Sequence, residues 1–98
     1  MKDLISGLNK VFESRIRLGI MSVLMVNDSY DFSSLKESLD VTDGNLASHL
    51  KALEENGLIE TKKKFVGRKP NTSYTITEKG SRLFKQHLNA LEDLIRNQ

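Results

Sequence analysis

The chain has 98 residues, 38% hydrophobic and 29% charged, with 15 Lys and Arg against 13 Asp and Glu. That is the length of a single domain with a modest core, and the balance fits a soluble globular chain rather than a disordered one. There is no cysteine, which excludes a disulfide framework and a thiolate metal site.

The net charge of +2 hides an asymmetry. Between Glu60 and Thr72 lie five bases (Lys62, Lys63, Lys64, Arg68, Lys69) and one acid, so this segment carries 5 − 1 = +4 and the remainder 2 − 4 = −2. One short basic segment on a mildly acidic body points to a polyanion contact at one place. The N-terminal MKDLISGLNKVF lacks the apolar core of a signal peptide. No run approaches the roughly 18 apolar residues of a membrane span. A cytoplasmic protein without membrane contact is expected.

In chain order, residues 3–12 place Leu4, Leu8, Val11 and Phe12 on one stripe, which predicts a short helix with Asp3 in its first turn. The stripe serves either the chain's own core or a second subunit. Residues 14–27 follow, capped by Ser14. Ile16, Ile20, Met21, Val23, Leu24 and Met25 give a broad apolar face, so this is expected to be the most buried helix, with Gly19 allowing close packing. Asn27-Asp28-Ser29 breaks it.

Residues 33–39 form a second helix, capped by Ser33 or Ser34, with Ser34 and Glu37 at capping-box spacing. Asp40-Val41-Thr42 is a three-residue connection. Thr42 then caps the stretch TDGNLASHLKALEENGL, where Leu46, Leu50 and Leu53 stack on one face and Gly57 ends the helix. The opposite face carries Gly44, Ser48 and Lys51, with Asn45 to one side. A helix, a short turn and a second helix with a small polar N-terminal front match a helix-turn-helix whose second helix can enter the DNA major groove. Asn45 can read adenine through its amide, and Ser48 can read several bases. Lys51 suits a phosphate. The other reading is an ordinary amphipathic surface helix.

LIETKKKFV then reads as a strand, GRKPN as a turn, and TSYTIT as a second strand with Tyr74 and Ile76 on one face. The basic hairpin tip, with Lys62 and Lys64 on its first strand, is either a phosphate-contacting wing or a charged loop guarding a sheet edge. Thr77 caps the last helix, over 78–98, where Leu83, Phe84, Leu88, Leu91, Leu94 and Ile95 recur at helical spacing. So long an apolar stripe fits a helix pairing across a twofold axis, the alternative being a fold-back onto the first helices. The expected dimer contact is Leu4, Leu8, Phe12, Phe84, Leu88, Leu91, Leu94 and Ile95.

The NLASHLKALEENGLI and GRKPNTSYTITEKG runs, in this order over residues 14–85, resemble bacterial and archaeal winged helix-turn-helix transcriptional regulators of the MarR/ArsR-type superfamily, closest to the small stand-alone members. The resemblance implies an α+β, mostly α fold: a three-helix core, a β-hairpin wing and terminal helices for dimerisation. The organisation expected is one domain, with an N-terminal helix at 1–12, the helix-turn-helix at 32–57, the wing at 58–77 and the dimerisation helix at 78–98. It further implies double-stranded DNA binding as a homodimer, with the base-reading positions falling on Asp43, Gly44, Asn45, Ser48 and His49, and the wing positions on Arg68, Lys69 and Thr72. Asp43 can accept from cytosine or serve the helix dipole, and we prefer the dipole. His49 can read a base or sit at the core edge beside Leu50.

Metal-sensing relatives carry cysteines or His/Asp clusters, whereas here the matching stretch is Leu35-Lys36-Glu37-Ser38 and the last helix offers only His87. Two lone histidines make no zinc site, so no metal or cofactor is expected, and a small-molecule effector is left open. There is no Gly-rich phosphate loop, paired carboxylate or Ser/His/Asp spacing to support an enzyme. The function expected is sequence-specific transcriptional regulation, with repression as its mode. The alternative is a winged helix used for protein–protein contact without DNA.

Overall fold

Four helices and three strands follow one another in the computed structural model, which describes residues 4–97. They are α1 (Arg15–Val26), β1 (Tyr30–Asp31), α2 (Phe32–Leu39), α3 (Asp43–Glu55), β2 (Ile59–Val66), β3 (Lys69–Ile76) and α4 (Glu78–Arg96). The strands form one antiparallel sheet in the order β1-β3-β2.

Local chemistry accounts for most of the boundaries. Ser14 Oγ accepts from the Arg17 amide and starts α1; Thr42 Oγ1 accepts from the Asn45 amide and starts α3. Each satisfies a donor that the first helical turn leaves without a partner. At the end of α3, Leu58 N donates to Leu53 O and Gly57 N to Glu54 O, with Gly57 at φ +73°. This is the Schellman arrangement, which needs a left-handed residue at that point.

α2 starts differently from expectation. Its cap is Asp31, whose carboxylate accepts from the Ser34 amide at 2.7 Å, so neither Ser33 nor Ser34 is the cap. The Ser34 bonds, aided by one from Asn71, hold the Asp31 carboxyl below the usual carboxylate range. Asp31 also belongs to the two-residue strand β1, pairing with Ser73, while Tyr30 pairs with Tyr74. The turn into α3 lacks a glycine because Asp40 itself takes the left-handed conformation, at φ 52° and ψ 58°. Asp tolerates that region better than most residues.

The core holds Phe12, Ile20, Met21, Leu24, Leu35, Leu46, Leu50, Leu53, Leu58, Ile59, Tyr74 and Phe84. The helix expected over residues 3–12 does not form among the described residues; Asp3 lies outside them. Only Lys10–Phe12 is helical, as one 3-10 turn capped by Asn9. The Asn9 side chain accepts from Val11 N, and Asn9 N donates to Nδ1 of the buried His87 on α4. The segment's polar groups are thus committed to a local cap and to α4 rather than to a helical ladder.

This docking also corrects two of the expected subunit contacts. Phe12 and Phe84 are both buried in the chain's own core and meet edge to face, with ring centroids 5.2 Å apart. The buried residues of α4 are Gly80, Phe84 and His87, all in its first half. The second half therefore projects past the core. Leu88 and Ile95 are exposed there, Leu91 and Leu94 are half-buried, and Leu4 is exposed beside Ile5. Leu8 is half-buried.

The N-terminus of α4 is latched to the C-terminus of α3. Thr77 Oγ1 accepts from Gly80 N at 2.9 Å and donates to Gly57 O at 2.7 Å. Thr77 N donates to Leu58 O, and Lys79 Nζ donates to Asn56 O. The Thr-x-x-Gly spacing is thereby explained: threonine caps one helix while gripping the end of another, and Gly80 lets the two backbones touch.

Candidate nucleic-acid interface

The amphipathic pattern of α3 decides which side chains are available. Leu46, Leu50 and Leu53 are buried. Gly44, Asn45, Ala47, Ser48 and Lys51 are exposed on the other side. Ala47 falls three residues after Gly44 and four before Lys51, so it shares their face. Alanine has no polar atom to mark it in the sequence, but a methyl group there can meet the methyl of thymine.

Two of the expected base readers have other partners. Asp43 Oδ1 lies 2.8 Å from Lys36 Nζ of α2, with both side chains exposed. Such a pair adds little stability, but it occupies the carboxylate at the helix N-terminus, where negative charge also suits the dipole. His49 is half-buried, and its Nδ1 accepts from Arg17 Nε of α1 at 3.0 Å. Arg17 also donates to the Val11 carbonyl at 3.3 Å. His49 therefore sits at the core edge and joins α3 to α1 and the N-terminal segment.

Burial, and secondarily the Arg17 charge, hold the His49 pKa below the ordinary value of 6.5. Between the lowered folded pKa and 6.5 the unfolded chain binds more protons than the folded one. Stability from this residue is therefore complete above about pH 6.5 and falls as the pH drops through that window. In urea unfolding across the pH range, the wild-type midpoint is expected to fall more steeply below pH 6.5 than that of His49→Asn. Parallel curves would remove this role for His49.

The hairpin supplies the second half of the candidate interface. β2 and β3 pair from Ile59↔Ile76 to Val66↔Lys69, leaving Gly67 and Arg68 as a two-residue turn. Gly67 has φ +66° and Arg68 has no positive φ, the pattern of a type II′ turn that matches strand twist. Along β2, alternation puts Ile59, Thr61, Lys63 and Phe65 on one face and Glu60, Lys62, Lys64 and Val66 on the other. The Thr61 face is the one turned to α3, because Thr61 Oγ1 donates to Glu54 Oε2.

Between the helix and the hairpin runs a groove of about 250 Å³, lined by Ala47, Leu50, Lys51, Glu54, Thr61, Lys63, Thr72 and Tyr74. It brings together Lys51 and Thr72, two of the expected backbone contacts, and adds Lys63. Counting in twos from the buried Ile59 would have found it. Lys62 and Lys64 lie on the opposite face of the strand, away from α3. Glu54 is the acid in the groove; burial first, and then its charge, push the Tyr74 hydroxyl pKa up. Arg68 and Lys69 are exposed at the tip.

α3 thus presents a polar front with a basic hairpin beside it and a groove between them. A family model described as a winged helix DNA-binding domain matches residues 16–95. The chain belongs to this family. The winged helix is 41% identical over 88 residues to an uncharacterised protein of Methanocaldococcus jannaschii, covering 90% of this chain and 96% of that one.

Among solved structures, it is similar to a transcriptional regulator homologue from Pyrococcus horikoshii OT3. The TM-score is 0.86 and the identity 35%, with 96% of this chain and 91% of that chain covered. It is also similar to diamide-treated YodB of B. subtilis, with TM-score 0.78, 25% identity and coverage of 88% and 84%. Its structural neighbours are MarR/ArsR-type transcriptional regulators, as the two sequence runs led us to expect. Among the described residues, no helix of the winged helix is long and apolar enough to cross a membrane.

Proposed function

We propose that this winged helix is a sequence-specific, homodimeric transcriptional regulator that represses by occupying its site on double-stranded DNA. The observation that carries the reading is the groove between α3 and the hairpin, where Lys51, Lys63 and Thr72 converge beside the exposed front of α3. A phosphate strand in that groove would place the N-terminal half of α3 in the major groove and the hairpin tip over the adjacent minor groove. Phosphate contacts set register, and base-edge contacts set sequence.

In this arrangement Asn45 and Ser48 read base edges, Ala47 touches a thymine methyl, and Gly44 permits close approach. Asp43 and His49 hold the helix in place through Lys36 and Arg17. Lys51, Lys63, Thr72, Arg68 and Lys69 contact the backbone, while Lys62 and Lys64 add to the attractive field from the far face. The projecting half of α4, with Leu88, Leu91, Leu94 and Ile95, pairs with a second copy, with Leu4 and Leu8 at its margin. Two recognition helices about 34 Å apart would then address successive major grooves.

Selection from a random duplex pool tests this reading. The enriched sequences are expected to contain an inverted repeat with half-sites about 10 base pairs apart. Asn45→Ala is expected to lose about 1–3 kcal/mol on them, confined to one position of each half-site. Enrichment of single, undivided sites would contradict the dimer. An equal loss on every sequence would contradict Asn45 as a reader.

A further inference from the structure

At the hairpin tip, Phe65 is 73% exposed and Val66 62% exposed, and neither belongs to the core or packs against it. Around them stand Lys62, Lys63, Lys64, Arg68 and Lys69, with no acid between Glu60 and Glu78. Lysines alone would protect a sheet edge. An exposed aromatic beside a β-branched residue works against that protection, because it adds an aggregation hazard. The surrounding charge makes a polyanion the occupant that fits this exposed ring.

We propose that Phe65 is an apolar wedge that enters the DNA minor groove and partly unstacks a base step. This rests on the DNA-binding reading above and extends it from phosphate contact to deformation of the duplex. The strand geometry fits. Lys63 and Phe65 share a face two residues apart, a rise of about 7 Å, comparable to the minor-groove width of about 6 Å. A lysine on the phosphates at one rim therefore leaves the phenyl ring over the groove, facing the base edges.

The tip is built to hold that pose. The two-residue turn at Gly67-Arg68 closes the hairpin immediately beyond Val66, and Phe65 pairs across the strands with Pro70, whose ring restricts the backbone. From Asn71 and Thr72 outward the hairpin extends past β1, which ends opposite Ser73. Asn71 still reaches Asp31, and Phe65 itself stands clear of the core. Inserted apolar side chains of this kind kink duplexes at flexible steps, and so add sequence preference without a base-edge hydrogen bond.

The test compares wild type, Phe65→Ala and Phe65→Leu on a short duplex of alternating A and T carrying 2-aminopurine, whose fluorescence rises on unstacking. Wild type is expected to raise the fluorescence. Phe65→Ala is expected to bind about tenfold more weakly, with the same salt slope and no rise, and Phe65→Leu to recover most of both. If Phe65→Ala keeps the affinity and the fluorescence rise, the wedge is overturned while DNA binding stands. If wild type shows no salt-dependent binding to any duplex, the DNA reading itself fails. Loss of Phe65→Ala binding to phosphatidylserine vesicles, with duplex binding and fluorescence unchanged, would assign the tip to a membrane and also overturn the wedge.

Discussion

Gly80→Ala is expected to destabilise the domain by about 3 kcal/mol, the upper part of the range for overpacking. The sign is the informative part. Glycine inside an exposed helix normally costs about 1 kcal/mol relative to alanine, so the same change elsewhere in α4 would be stabilising. At position 80, however, an added methyl would overlap the backbone carbonyl of Leu58. That carbonyl already accepts from Thr77 N, and the surrounding latch joins the ends of α3 and α4, so the backbone cannot retreat cheaply.

Gly19 provides the contrast. A methyl there would meet the Cδ2 end of Leu39 at 2.7 Å, a flexible side-chain tip that can turn aside. Thermal unfolding followed by circular dichroism should show a fall of about 10–20 °C for Gly80→Ala and a much smaller change for Gly19→Ala. Equal shifts would mean that the α3–α4 junction is not rigid.

Removing both bases of the groove has the largest expected effect on binding. Lys51→Ala with Lys63→Ala deletes two phosphate contacts, and each contact contributes about 0.9 to the slope of log affinity against log salt. The slope is expected to flatten by about 2. At roughly physiological salt the affinity should fall about 30-fold, taking equal affinities at about 1 M salt as the reference. The matched control is Lys62→Ala with Lys64→Ala, which removes the same charge from the opposite strand face. Titration of random-sequence duplex across a salt series distinguishes the two. Equal slopes for both double variants would show that only net charge matters and that the groove does not seat a phosphate strand.

What the sequence disclosed follows from how local each determinant is. The recognition helix was legible because Leu46, Leu50 and Leu53 recur at helical spacing between Thr42 and Gly57, and these signals act within one or two turns. Ser14 and Thr77 were readable as caps for the same reason. β1 was not, because two residues carry no periodicity and Tyr30 and Asp31 find their register only against β3, more than forty residues away. Asp31 was obscured by two serines that are equally good caps by type; its charge and its place at the end of β1 decide the matter.

Phe12 and Phe84 illustrate the same limit from the other side. An apolar stripe says that a residue will be covered, not by what, and both rings proved to cover each other. Lys63 is different, because the information was present. The alternation that buries Ile59 and turns Thr61 to α3 puts Lys63 into the groove, and the neighbouring Lys62 and Lys64 masked it by composition. Sequence alone allows His49 two roles, and its bond from Arg17 places it at the core edge.

The central claim is that the groove between α3 and the hairpin holds a DNA strand. Its most direct test is fluorescence anisotropy of a labelled random-sequence duplex titrated with the wild-type chain across a salt series. Binding is expected whose affinity falls steeply and log-linearly with salt, with a slope matching several phosphate contacts. Absence of binding at low salt, or binding with no salt dependence, would contradict it.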